Sequence, residues 1–201
     1  MKPAPRVALY VVLLGALAVG IGTCTTYNRL VGKSQEVDAQ WAQVQNVYQR
    51  RADLVPNLVA TVKGAAQFER ETLREVTEAR SRVGQVQLPR GEAPTDPADL
   101  QKFQQAQDQL GGALSRLLVV AEQYPNLTAT QGFRDLQAQL EGTENRIAVE
   151  RMRYNEVARG YNTARARFPA ALFASFFGDR FAKRPYFVAQ AGAEQAPRVE
   201  F

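Results

Sequence analysis

The side chains that could carry chemistry fall into two polar clusters and one isolated thiol. The first cluster is Arg50, Arg51 and Asp53. The second is Glu144, Asn145, Arg146, Glu150, Arg151 and Asn155, and the thiol is Cys24. The 201-residue chain has no histidine. Ser-His-Asp and Cys-His nucleophilic systems therefore lack their general base. Zinc sites draw on several Cys or His ligands, and carboxylate-bridged di-metal bundles use Glu-x-x-His pairs. Glu141, Glu144 and Glu150 have no acidic motif on another predicted helix to complete a metal site. No Gly-rich phosphate loop occurs. The residues thus predict a protein that is not an enzyme, with no catalytic residues, cofactor or metal.

A structural role remains for the charges. Arg50 and Asp53 stand at i,i+3 and Arg146 and Glu150 at i,i+4, spacings worth about 0.2–0.5 kcal/mol per exposed pair. Arg51 lies on an apolar seam between Tyr48 and Val55, and Glu150 lies on a second seam. Each is the lone charge of its stripe, so the two are expected to meet as a polar layer fixing helix register. A solvated helix face and a partner-docking patch are the alternatives.

The elements that position these residues are all helical. Val37, Trp41, Val44 and Tyr48 begin a seam that continues through Val55, Leu58, Val62 and Ala65 to Val76, Ala79 and Val83. The spacing predicts one rod over 35–83, capped by Ser34 and kinked at Pro56. The Gly- and Pro-bearing stretch 84–96 is a loop. Asp96-Pro97-Ala98-Asp99 starts a helix over 97–124, with Gly111-Gly112 in its middle marking close packing. Asn126 or Thr128 caps a third helix over 129–167. Pro169 and Gly178 bracket a short fourth over 170–177. The fold class is all-α: an antiparallel up-and-down bundle of three long helices and a short fourth. It spans 29–190, with a flexible tail at 191–201.

Residues 1–28 form the anchor or signal segment. Val7 to Thr26 carries no charge, and as a helix would be roughly 30 Å long, about the hydrocarbon thickness of a bilayer. Lys2 and Arg6 ahead of it favour a single-pass anchor with a cytoplasmic N-terminus and the bundle outside the cytoplasm. Ile21-Gly22-Thr23-Cys24 loosely resembles a lipobox, which would make Cys24 a lipid attachment site. Simple secretory cleavage is the third reading. The formal net charge of +5 includes Lys2 and Arg6, so the body is mildly basic with its charges interspersed. A nucleic-acid partner is not expected.

Phe173, Phe176, Phe177, Phe181, Tyr186 and Phe187 crowd the C-terminal region, together with Phe168. They read as a core-capping helix or as a partner surface. In an up-down-up bundle they lie at the end far from the membrane, which argues against a membrane-interface role.

Gln49–Lys63 (QRRADLVPNLVATVK), Leu114–Leu127 (LSRLLVVAEQYPNL) and Leu140–Asn162 (LEGTENRIAVERMRYNEVARGYN) resemble the LemA family of bacterial membrane proteins. Tyr27-Asn28, Ala79-Arg80, Phe168-Pro169 and Pro185–Phe187 are similar as well. The resemblance implies an N-terminal membrane segment, spanning or lipoprotein-like, followed by an antiparallel helical bundle, and it implies no reaction. The expected function is a membrane-anchored scaffold or adaptor of the cell envelope that binds another membrane or envelope protein or self-associates. The alternative is an envelope sensor holding a small ligand or peptide in the bundle, at the polar layer or Gly111-Gly112.

Overall fold

The computed structural model describes residues 5–64, 69–86, 88–89 and 91–188, with side chains from Leu9 onward. The proposed tail at 191–201 lies outside the described residues. The described residues form helices and connecting segments without a strand. The helices are α1 (Pro5–Lys63), α2 (Arg70–Gln85), α3 (Pro97–Ala121), α4 (Pro125–Thr128), α5 (Gln131–Ala166) and α6 (Ala170–Phe176), followed by a 3-10 turn over Gly178–Phe181.

The apolar N-terminal segment and the first bundle helix are one element. α1 is continuous over 59 residues, which at 1.5 Å per residue is about 90 Å. Ser34 is therefore no helix cap. It sits inside α1, buried, where its hydroxyl accepts from Arg184. Leu9 to Ile21 are bare of protein contact, and burial begins at Leu30. The first part of α1 is long and apolar enough to cross a membrane, with a window of mean hydropathy 1.9, none of it buried.

The rod expected over 35–83 is broken. α1 stays helical through Pro56, ends at Lys63 and is followed by a turn at Gly64. Glu69 is extended at φ −63° and ψ 117°, and α2 begins at Arg70. The expected seam runs through Ala65 to Val76 without a lapse; the local signal for the break is Gly64, a poor helix former. α2 then runs back along α1, with Arg80 Nε donating to the Ala52 carbonyl at 3.1 Å.

The connection after α2 descends further along α1. Gln45 Nε2 donates to the Pro89 carbonyl at 3.2 Å, and Asp38 accepts from the Ala93 N–H at 3.0 Å. α3 starts at that level. Asp96 caps it by accepting from the Ala98 N–H at 2.8 Å, with Pro97 in the first turn. α3 climbs parallel to α1, so Phe103 meets Trp41 and Gln107 meets Arg51. Pro125 opens the single turn α4. The cap of α5 is then Thr130, accepting from the Phe133 N–H at 3.4 Å, and not Asn126 or Thr128, which belong to α4.

α5 descends antiparallel to α1: Glu144 faces Arg51, Glu150 faces Gln40, and Tyr154 faces Trp41. The order is therefore up, down, up, down, and α5 is not parallel to the first helix as an up-down-up bundle requires. The extra reversal at Gly64 carries the chain back to the anchor end. There Ala170, Ala174 and Phe181 close on Leu30. From Ala182 to Val188 an extended strap climbs again beside α5 and α3.

Two apolar clusters fill the bundle. The upper one joins Val55, Leu58 and Val62 of α1 to Leu73 and Val76 of α2, Leu110, Leu114 and Leu117 of α3, and Phe133 and Leu140 of α5. The lower one is aromatic. Trp41 is fully buried against Phe103 (5.3 Å between ring centres), Tyr154 (5.6 Å) and Phe187 (6.1 Å). The first two pairs are edge-to-face and the third is stacked, and aromatic pairs of either kind add about 0.5–1.5 kcal/mol beyond area burial.

Candidate functional site

Two buried arginines organise the polar interior. Arg51, 3% exposed, lies where α1, α3 and α5 converge. Its Nη1 donates to Glu144 Oε1 at 2.7 Å. Its Nη2 donates at 2.7 Å both to the Gln107 carbonyl and to Gln107 Oε1. The guanidinium also lies 5.2 Å from the Tyr48 ring centre. A planar fork with several donors suits three acceptors on two helices, which an ammonium does not.

The partner of Arg51 is thus Glu144 and not Glu150. Glu150 accepts from Gln40 at 2.6 Å and pairs with Arg153 at 2.8 Å, so the expected Arg146–Glu150 pair does not form and Arg146 is exposed. The antiparallel register puts Gln40, eleven positions before Arg51, opposite Glu150. Asp53 accepts from Gln49 at 2.7 Å rather than pairing with Arg50, and both Arg50 and Asp53 face solvent. Of the first cluster only Arg51 enters the core. Of the second, Glu144 reaches it. Arg151 and Asn155 serve the strap.

Gly111 is where the α3 backbone meets this guanidinium: a Cβ there would stand 3.3 Å from Arg51 Nη1, whereas one on Gly112 meets nothing within 4 Å. Gly112→Ala is accordingly expected to raise stability by about 1 kcal/mol through helix propensity. Gly111→Ala should gain less or lose, because Nη1 is already held by Glu144. Paired thermal melts of the two variants check this, and equal gains would contradict it.

The second arginine, Arg184, was outside both sequence clusters. It is 8% exposed and belongs to the strap. Nη1 donates to the Ala93 carbonyl. Nη2 donates to Ser34 Oγ at 3.1 Å and lies 3.2 Å from Asp38 Oδ1. It therefore ties the strap to α1 and to the α2–α3 connection.

Two asparagines of α5 hold the strap backbone. Asn155 donates to the Phe187 carbonyl and accepts from the Phe187 N–H, both at 2.9 Å. Asn162 does the same for Arg184, at 2.8 and 3.0 Å, and also donates to the Tyr186 hydroxyl. Arg151 stacks 4.8 Å from the Phe187 ring centre and donates to the Val188 carbonyl. The Asn155–Asn162 spacing of seven residues, two helical turns on one face, was the available signal for this role.

The aromatic block divides. Phe181 and Phe187 are buried, so neither belongs to an open surface; Phe173 is partly buried against Leu30's cluster. Phe176, Phe177 and Tyr186 remain exposed.

Cys24 is an exposed free thiol within α1. Among the described residues no three His, Cys, Asp or Glu side chains converge to hold a metal. A 690 Å³ hollow beside Tyr48 is lined by Gln45, Gln49, Val83, Leu88, Phe103 and Gln107, among others. A smaller hollow of about 370 Å³ is lined by Gly111, Leu114, Leu118, Leu140, Glu141 and Glu144, among others.

Burial raises the phenol pKa of Tyr48, Tyr154 and Tyr161 above the ordinary value of 10.0. Burial penalises the phenolate, so the folded state holds these protons longer than the unfolded chain does. Their contribution to stability is fully present below about pH 10 and is lost as pH rises beyond it. An alkaline melt followed by tyrosinate absorbance should show unfolding and ionisation together above pH 10, and independent ionisation without unfolding would contradict this.

The family model that matches is described as the LemA family, and it covers residues 40–201, taking in Trp41, both arginines, the clamp asparagines and the strap. The chain belongs to the LemA family. Among LemA-family and related chains it is similar to Magnetosome protein MamQ 2 of Paramagnetospirillum magneticum, 27% identical over 202 residues, covering 91% of this chain and 72% of the relative. Magnetosome protein MamQ of Magnetospirillum gryphiswaldense is 26% identical over 179 residues (80% and 64%). Protein LemA of Metamycoplasma hominis is 25% identical over 136 residues (68% and 58%). None of these names denotes a reaction.

Proposed function

We propose that this LemA-family protein is a membrane-held, non-enzymatic helical scaffold or adaptor of the cell envelope, binding another membrane or envelope protein. The observation that carries the reading is the continuity of α1. One helix runs from a bare apolar segment into the centre of the bundle without a linker. A bundle so joined is held at a fixed height and tilt on the membrane, which suits a platform. The apolar length of α1 supports a spanning anchor, with Lys2 and Arg6 on the cytoplasmic side and the bundle outside the cytoplasm. Acylation at Cys24 is the alternative anchor. The intact mass of the membrane-extracted chain separates the two, since an acylated form starts at Cys24 and carries lipid.

Photo-crosslinking from exposed bundle positions in native membranes tests the role. A scaffold yields one reproducible protein partner from one helical face and none from the opposite face. Self-contacts and random neighbours alone would sink the adaptor reading. The sensor alternative has two candidate places, the hollow beside Tyr48 and the smaller one lined by Gly111 and Glu144.

A further inference from the structure

α6 is amphipathic in the opposite sense to a soluble helix. The residues it buries are small, Ala170 and Ala174. The residues it turns outward are large: Leu172 is 61% exposed and Phe176 84%, spaced i, i+4 on one face. Phe177 at its end is 41% exposed, and Phe168, in the turn just before the helix, is 83% exposed. Large apolar side chains gathered on an outer face mark a contact site.

The location of this face says what covers it. The Tyr27 ring of α1 lies 5.7 Å from Phe177 and 5.6 Å from Phe181, and Leu30 packs on Ala170 and Ala174. Tyr27 is the residue directly after the uncharged run Val7–Thr26. If that run fills the hydrocarbon, α6 lies at the height of the lipid headgroups, and its apolar face continues the bare apolar surface of α1.

The surrounding charge agrees. Arg180 lies 5.6 Å from the Tyr27 ring centre, and Arg29, Arg167 and Lys183 are exposed nearby in sequence. Asp179 is the sole acid between Glu156 and Val188. Aromatic side chains flanked by cations fit the boundary between acyl chains and anionic headgroups.

We propose that Phe168, Leu172, Phe176 and Phe177 form a membrane-interface docking face, inserted into the leaflet from which α1 emerges. The proposal rests on the reading that α1 crosses the bilayer. Two points of attachment then fix the bundle's rotation about α1, which a single helix leaves free. The face that a partner meets is set by α6.

The test uses the full-length chain with Cys24→Ser, reconstituted in liposomes of phosphatidylcholine and phosphatidylglycerol. Nitroxide labels are placed one at a time through Leu172→Cys, Phe176→Cys, Leu17→Cys in the anchor and Gln123→Cys at the opposite end of the bundle. Leu172, Phe176 and Gln123 are exposed, so their labels leave the fold intact, as circular dichroism will verify. Collision with oxygen, which favours lipid, is compared with collision with a water-soluble nickel chelate. The expected result is a graded shift: Gln123 water-like, Leu172 and Phe176 at interfacial depth, Leu17 deepest.

Water-like labels at Leu172 and Phe176 with a deep Leu17 would overturn the docking face and leave the spanning anchor standing. A water-like Leu17 would overturn the spanning reading and the docking face with it. Labels at Leu172 and Phe176 shielded from both reagents would mean a second copy of the chain covers the face, which also overturns the proposal.

Discussion

Arg184→Ala is expected to destabilise the bundle by about 3 kcal/mol, the scale for removing one partner of a buried, hydrogen-bonded ion pair. For a chain of this size that corresponds to a fall in Tm of roughly 6–12 °C. The cost has identifiable sources. The Ala93 carbonyl and Ser34 Oγ lose their donor, and Asp38 keeps only the Ala93 N–H. The strap is then held by Asn155 and Asn162 and, at Val188, by Gln104 and Arg151, and Phe187 is less firmly seated on Trp41. Arg184→Lys should recover little, because one ammonium cannot address acceptors on α1 and on the connection at once. Thermal melts in detergent, with limited proteolysis of the strap, check both. A loss under about 1 kcal/mol would show that the strap does not depend on this guanidinium.

Arg51→Ala is expected to cost about 3 kcal/mol as well, since it empties the junction of α1, α3 and α5 and takes the donor from the buried Gln107 Oε1. Glu144→Gln should cost only about 1 kcal/mol: Glu144 is half-exposed, and water compensates there. The two should couple in a double-mutant cycle, because they touch at 2.7 Å. Arg51→Ala and Glu150→Ala should instead add, because Glu150 bonds to Gln40 and Arg153 and not to Arg51. Denaturant titration of the singles and doubles measures this. Coupling between Arg51 and Glu150 would contradict the observed register.

Both arginines show what governs legibility. Arg51 stood out in the sequence because a charge interrupts an apolar seam, a local pattern. Arg184 did not, because it sits in an extended segment with no periodicity, and its acceptors come from α1 and from the α2–α3 connection. Aromatic rings behaved the same way. Their crowding was plain, but which ones lie inside depends on the strap's path: Phe187 is inside because Asn155 holds its backbone against α5, with Asn162 holding Arg184 before it, while Phe176 is outside because α6 turns its alanines inward.

By itself the sequence determined the helical class, the long apolar N-terminal run, the absence of histidine chemistry, the starts of α3 and α6, and LemA-family membership. All of these rest on local spacing, composition or contiguous blocks of residues. Only the tertiary structure decided direction. A single reversal between Lys63 and Arg70, beginning at the Gly64 turn, inverts every element that follows. It makes α5 antiparallel to α1, moves the partner of Arg51 from Glu150 to Glu144, and returns the aromatic block to the anchor. Helix periodicity records which face of a segment is buried and is unchanged when the segment is turned end for end. The direction of each helix was set instead by a short turn and by contacts between residues far apart in the chain.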